Sequence, residues 1–220
     1  AALIHSHRYH ARRSKMEELI SVASPDRMDR DALTLRKHFT RSLEQDADII
    51  DRVLKVLVSR KRKATKKLRG ALEDDIVATR STEAEFVRRL NEAKPRIEPW
   101  LMNQLDVLAC DRDLLQSAST LVELASEHIL NEHSPPTEEV CASVTRLREL
   151  FGDGFKRLLD PGEAQTNPAR EIRAELDRMT ELVLQDLYEG RVSNRNTALM
   201  RGIILELRDV NRELERAAAW

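Results

Sequence analysis

The chain has 220 residues, of which 34% are charged and only 4% aromatic, and its formal net charge is −1. This near-zero charge excludes a global field that draws the chain to nucleic acid or to an acidic surface, and no apolar run approaches the roughly 20 residues of a membrane span. Glycine and proline are scarce, so the composition favours long amphipathic helices packed into one or two domains.

Residues 1–26 form a leader before the predicted helices. The leader begins with Ala1–Ile4, without a methionine, and continues with histidines and arginines. One interpretation is a disordered leader or the edge of a fragment. A second is the cytosolic exit of a membrane helix that precedes the fragment, because positive charge collects on that side. A third is metal capture by His5, His7 and His10, although no carboxylate stands at helical spacing to them.

Three amphipathic helices are predicted in the first half of the chain. The apolar stripe of the first helix consists of Leu35, Phe39, Leu43, Ala47, Ile50, Leu54 and Leu57. A basic segment follows it, with Gly70 as the predicted break. The second helix spans 76–90 and stops before Pro95, because proline disfavours helical geometry in the preceding residue. The third helix spans 97–129, with Pro99 in its first turn.

The prolines of residues 134–136 form the clearest hinge of the chain. Thr137 is the predicted N-cap of the fourth helix, and the two glutamates that follow it suit the positive end of the helix dipole. Apolar spacing then predicts a fourth helix over 140–158, interrupted at Gly152 and Gly154.

Residues 160–168 are rich in proline and glycine and are predicted to form a loop. The fifth helix covers 172–187 and ends at Gly190. The sixth covers 199–217. No window alternates in the manner of a strand, so we predict an all-α protein with three helices on each side of the hinge.

An internal echo relates the third and sixth helices. The pair Leu101-Met102 returns 98 positions later as Leu199-Met200, and Asp111 returns at the same displacement as Asp209. Because a repeated helical unit fixes an architecture, the echo predicts a six-helix bundle that is built from two three-helix repeats.

Motifs of catalysis are missing from the sequence. It contains no glycine-rich phosphate loop, no nucleophile elbow and no zinc or di-iron histidine motif. We therefore predict neither an enzyme nor a cofactor. The best metal candidate is the pair Glu44 and Asp48, which stand four residues apart on one helix face. The alternative for this pair is two solvated carboxylates.

The cysteines and two histidines have structural interpretations. Cys110 and Cys141 are far apart, and we interpret them as reduced core thiols of a cytosolic protein. His128 and His133 flank the end of the third helix, where we expect them to cap the helix or to face solvent.

The densest run of like charge lies between residues 60 and 69. We predict that it binds a partner or an anionic surface through Arg60, Lys61, Arg62, Lys63, Lys66, Lys67 and Arg69. Nucleic acid is not expected as the partner, because no stacking aromatic lies between Phe39 and Phe86. The alternative is a solvated helix end whose charge is offset by Glu73, Asp74 and Asp75.

The last helix carries a family resemblance. Residues Leu205–Asn211 resemble a pattern near the end of the PhoU-like domains of bacterial sodium–phosphate cotransporter relatives, with Asp209 where that pattern has a second basic residue. The six-helix layout, with repeats over 27–131 and 137–219, is similar to the PhoU family as a whole. The sequence departs from metal-binding members, because Val107 and Leu205 replace the acids that precede the repeat aspartates. No metal ligands are therefore carried over.

The resemblance implies a non-catalytic regulatory domain of phosphate or ion transport that docks on a membrane transporter. The reduced cysteines predict a cytoplasmic location, and the charge of the basic segment favours membrane association. A structural or adaptor bundle that makes protein–protein contacts, including a homodimer, is the second hypothesis. A carboxylate bundle that binds metal is the third.

Overall fold

A computed structural model describes residues 25–92, 99–131, 133–160 and 168–218. These residues form six α-helices and no strand, which confirms the predicted all-α six-helix fold. The helices are α1 (Pro25–Ser59), α2 (Arg62–Glu92), α3 (Pro99–Leu130), α4 (Glu138–Leu159), α5 (Ala169–Tyr188) and α6 (Asn194–Ala217).

The break between α1 and α2 does not lie at Gly70, so that prediction was wrong. Helix α1 ends at Ser59, and Arg60 adopts a left-handed backbone conformation with φ of 55°. Its amide donates to the carbonyl of Val56 at 2.7 Å, which closes the end of α1. Helix α2 then runs through the exposed Gly70. A mid-helix glycine costs only about 1 kcal/mol, and the packing of α2 outweighs that cost.

The predicted interruption of α4 at Gly152 and Gly154 was also wrong, because the helix is continuous through both. Gly154 is buried, and a Cβ atom there would lie 3.4 Å from Leu214 Cδ1. The glycine therefore allows α6 to approach α4 closely and does not end the helix.

Local signals placed several helix ends correctly. Pro99 begins α3, and Thr137 precedes α4 with an extended backbone. The Thr137 hydroxyl does not cap the helix, however, but donates to Asp186 Oδ2 at 2.8 Å. Gly190, with φ of 70°, follows the end of α5, and Ser193 caps α6 by accepting from the Asn196 amide.

The described helices pack in the same pattern in both halves of the chain. Helix α2 packs on α1 and α3 alone, and α5 packs on α4 and α6 alone. The halves meet where α1 packs on α4 and α3 packs on α6. The core is filled by side chains of these four helices, α1, α3, α4 and α6. Its fully buried residues include Leu54, Leu57, Leu121, Phe151, Leu147 and Ile203. A duplicated unit would give this pattern, and the duplication itself stays a prediction.

The residues of the sequence echo occupy unlike environments. Asp111 is buried, whereas Asp209 is partly exposed and pairs with Arg212 Nη1 at 3.0 Å. Leu199 and Met200 are buried, and the side chains of their counterparts at 101 and 102 lie outside the described part of the chain. The two aspartates of the echo therefore do not share a role, and the repeat that the echo predicts stays a prediction.

Within the described ranges, no helix combines the length and the apolar character that are needed to cross a membrane. Helix α1 begins at Pro25, two residues before the predicted start of the helical domain at residue 27. Residues 1–24, with His5, His7 and His10, lie outside the described residues, so the three interpretations of the leader stay predictions.

Candidate anionic-surface site

Most of the predicted basic segment lies on one exposed side of α2. Six of its residues are solvent-exposed and define the α2 basic face: Lys61, Arg62, Lys63, Lys66, Lys67 and Arg69. The opposite side of the same two turns carries Thr65, Leu68 and Leu72, which are buried against the bundle. The phase of the helix therefore separates the charged side chains from the core side chains.

Arg60 does not belong to this face, although it was predicted with it. The Arg60 side chain is half-buried, and its Nη2 donates to the backbone carbonyl of His133. The bond joins the short α1–α2 connector to the connector between α3 and α4. Arg60 thus has a structural partner, and six of the seven predicted residues remain for binding.

The electrostatics at the start of α2 favour an anion. The first turn of α2 contains no acidic residue. Cations at a helix N-terminus oppose the helix dipole, and like charges four residues apart, such as Arg62 with Lys66, repel each other. A negative group bound here would relieve both costs.

The alternative to a binding surface is a solvated helix end, in which nearby carboxylates offset the positive charge of the basic segment. Glu73 is exposed one turn beyond Arg69, and the side chains of Asp74 and Asp75 lie outside the description. Among the residues that the structure describes, Lys63, Lys66 and Lys67 form no ion pair. Direct neutralisation of these three lysines by neighbouring carboxylates is therefore not observed in that part of the chain.

The histidines at the end of α3 depart from the prediction. His128 is fully buried, and its ring stacks on His133 with centroids 5.9 Å apart and planes 8° apart. Burial, and then the positive charge of Arg60 and His133, lowers the pKa of His128 to about 4. An interaction with Asn196 offsets part of this lowering, although neither ring nitrogen reaches full hydrogen-bond geometry with a described residue. His128 is thus a neutral core side chain.

Of the carboxylate pair that was the best metal candidate, Asp48 forms an ion pair and Glu44 faces solvent. Glu44 is exposed, and Asp48 pairs with Arg52 Nη2 at 2.6 Å. No group of three or more side chains suited to a metal ion occurs within the described ranges. Sequence reasoning missed the burial of four carboxylates in the described part of the chain: Asp46, Asp111, Asp186 and Glu213. Asp46 stands three residues after Leu43 in the apolar stripe, and this register was the available signal.

Both cysteines are free thiols, but only Cys110 is the core thiol that was predicted, because Cys141 is partly exposed. Cys110 is fully buried, and its Sγ donates to the carbonyl of Glu213 at 3.5 Å. Cys141 is half-buried beside Pro136. Burial raises the pKa of both thiols, so neither is an activated nucleophile. The cytosolic compartment stays a prediction.

The segment that carries the PhoU resemblance holds α6 against α5. Arg208 Nη2 donates to Asp177 Oδ1 at 2.6 Å, and Asn211 Nδ2 donates to the carbonyl of Ala169 at 3.2 Å. No family model, curated protein or solved structure matches this chain. The resemblance therefore stays a prediction, and these side chains have a packing role that is independent of it.

Proposed function

We propose that this chain is a non-catalytic accessory or regulatory domain of phosphate or ion transport, which docks on a membrane transporter through the α2 basic face. The observation that carries the proposal is the set of six exposed cations at the start of α2, where the first turn of the helix contains no acidic residue. The resemblance to PhoU-like domains supplies the link to transport.

The position of α2 in the bundle supports docking. Among the described helices, α2 packs on α1 and α3 alone, so its outer side is not covered by the other half of the bundle. A partner can therefore bind the α2 basic face without unpacking the core. Binding that is tighter in one conformation of the transporter shifts the populations of its conformations, which is the regulatory step.

An adaptor bundle is the second candidate, and exposed apolar side chains on α5 and α6 favour it. Leu184 and Tyr188 stand four residues apart on α5, and Leu205 lies on α6; all three are exposed. A homodimer or another protein contact through these helices would leave the α2 basic face free. Sedimentation equilibrium distinguishes a monomer from such a dimer, and Tyr188→Ala with Leu205→Ala should abolish the dimer.

Photo-cross-linking in the source cell tests the proposed function. A photoreactive residue at Gly70 lies on the exposed side of α2, and the matched control places the same residue at the exposed Arg170 of α5. The proposal predicts adducts from position 70 with a protein that has several membrane spans, and few from position 170. Adducts from position 70 only with proteins that lack membrane spans would contradict it.

A further inference from the structure

The α2 basic face has the composition of a lipid-binding surface. Four of its six cations are lysines, namely Lys61, Lys63, Lys66 and Lys67. We infer that this face binds the anionic phospholipid headgroups of a membrane surface. The inference rests on the proposed docking role of the face and specifies the surface that it contacts.

The buried side of α2 makes the binding purely electrostatic. The apolar residues of the same turns, Leu68 and Leu72, are inside the bundle and 2–5% exposed. An interfacial helix that inserts into a bilayer needs a free apolar side, and these turns of α2 have none to offer. The chain should therefore sit on the headgroups without entering the hydrocarbon.

As the direct contact of this face, the lipid headgroups around a transporter fit better than protein side chains do. The centres of protein–protein interfaces are enriched in aromatic residues and arginine and depleted in lysine, and binding hot spots are usually packed aromatic or arginine anchors. Between Lys61 and Arg69 no aromatic or exposed large apolar side chain is present. A diffuse lysine-rich surface is instead what anionic leaflets attract.

The spacing of the cations lets them act together. The eight helical residues Arg62–Arg69 rise about 11 Å, which is close to the screening length of about 8–10 Å at physiological salt. A single patch of membrane surface therefore contacts the whole α2 basic face. The whole chain carries a net charge of −1, so the residues outside the α2 basic face carry a net negative charge, and α2 should face the bilayer.

Vesicle co-sedimentation of the full chain tests the inference. The probes are phosphatidylcholine vesicles with and without phosphatidylglycerol. The test variant is Lys63→Gln/Lys66→Gln/Lys67→Gln. The matched control, Lys55→Gln/Arg170→Gln/Arg201→Gln, removes the same charge from exposed positions away from the face. All these side chains are exposed, and circular dichroism checks that each variant keeps its helices.

We expect the wild-type chain to bind only the anionic vesicles and to lose binding as salt rises. The test variant should lose on the order of 100-fold in affinity, and the control should stay within about fivefold of wild type. Equal binding to both vesicles, no binding to either, or an equal loss in the control would overturn the inference. So would tighter binding to single-stranded RNA than to anionic vesicles.

The two tests fail independently. The vesicles contain no protein, so a failure to bind them leaves the cross-link between position 70 and a transporter unaffected. Vesicle binding without that cross-link would instead support the lipid surface and contradict the transporter.

Discussion

Arg60 has a role that its place in a basic run concealed. Its left-handed backbone ends α1, and its guanidinium reaches the carbonyl of His133. Both functions are structural, because the first depends on the backbone and the second fixes one connector to another. The charge run alone could not separate Arg60 from its neighbours, since exposure depends on contacts with residues more than 70 positions away.

Arg60→Ala should therefore affect stability and leave binding nearly intact. Loss of the bond to His133 should lower the free energy of unfolding by about 1–2 kcal/mol. Urea denaturation measures this change, and vesicle binding of the same variant should stay within a few-fold of wild type. Reduced vesicle binding with an unchanged free energy of unfolding would contradict this prediction and would show that Arg60 takes part in binding.

His128 should make the fold sensitive to acid. Its pKa is about 4 in the folded chain, compared with 6.5 in the unfolded chain. Between these values the unfolded state binds the proton more strongly, so acid favours unfolding. The stabilisation is fully present above pH 6.5, is lost as the pH falls towards 4, and amounts to about 3 kcal/mol.

Urea denaturation across that pH range checks the prediction. His128→Gln should flatten the dependence of the free energy of unfolding on pH between 6.5 and 4. His133→Gln should retain most of it, because burial is the largest cause of the lowered pKa of His128. An unchanged pH dependence in His128→Gln would show that other groups cause the acid sensitivity.

The burial of His128 was foreseeable from its register. It stands seven residues after Leu121 and three after Ala125, both buried residues of α3, and these spacings keep a side chain on one helix face. Histidine is a polar residue type, which favours the surface, whereas the register of His128 predicts burial. The packing of α3 against α6 buries this side chain, and that contact is not visible in local sequence.

At the scale of elements, helix ends with local causes were predictable. The fixed φ of Pro99, the cap position of Thr137 and the positive φ of Gly190 all act within one turn. The predicted breaks at Gly70 and Gly152 failed, because a glycine costs a helix about 1 kcal/mol and the buried stripe of a long helix outweighs that cost. The real α1–α2 connector contains no glycine or proline.

Gly70→Ala should stabilise the chain. Gly70 lies inside α2, and a Cβ atom there meets nothing within 4 Å, so the substitution gains up to about 1 kcal/mol of helix propensity. Thermal unfolding measures the gain as a higher Tm.

Gly190→Ala is the matched comparison. A Cβ atom at Gly190 is equally free of contacts, but the backbone there has φ of 70°. Alanine in this conformation should destabilise the chain by about 1 kcal/mol. A lower Tm for Gly70→Ala would contradict the continuous α2 helix, and an unchanged Tm for Gly190→Ala would contradict the left-handed turn after α5.

At the scale of the whole molecule, the two halves should unfold together. Helices α1 and α4 pack on each other, as do α3 and α6, so the core crosses the hinge. Phe151→Ala removes a fully buried ring from α4 and should cost about 3–5 kcal/mol. Hydrogen exchange should show the loss of protection in α1 as well as in α4.

Leu205→Ala is the control for this prediction. Leu205 is exposed on α6, so its truncation should change the free energy of unfolding by less than about 0.5 kcal/mol. If Phe151→Ala lowered protection in α4 but not in α1, the two halves would be independent units, and the shared core would be wrong.

The candidate site was predictable in composition and only partly in geometry. The run of like charge in the sequence identified the residues of the site, and the structure shows six of them exposed to solvent. The ligand that we propose for the face was inferred from the rest of the molecule, which leaves the outer side of α2 uncovered and buries its apolar side. These are tertiary facts that no local pattern contains.

Hydrogen exchange of the full chain mixed with membranes from its own cell tests the docking account most directly. The account predicts slower exchange of the amides at the start of α2, around Lys63, because bound headgroups or partner acids shield them from solvent. Exchange in α5 should not change. Protection confined to α5 and α6, with α2 unaffected, would contradict docking through the α2 basic face.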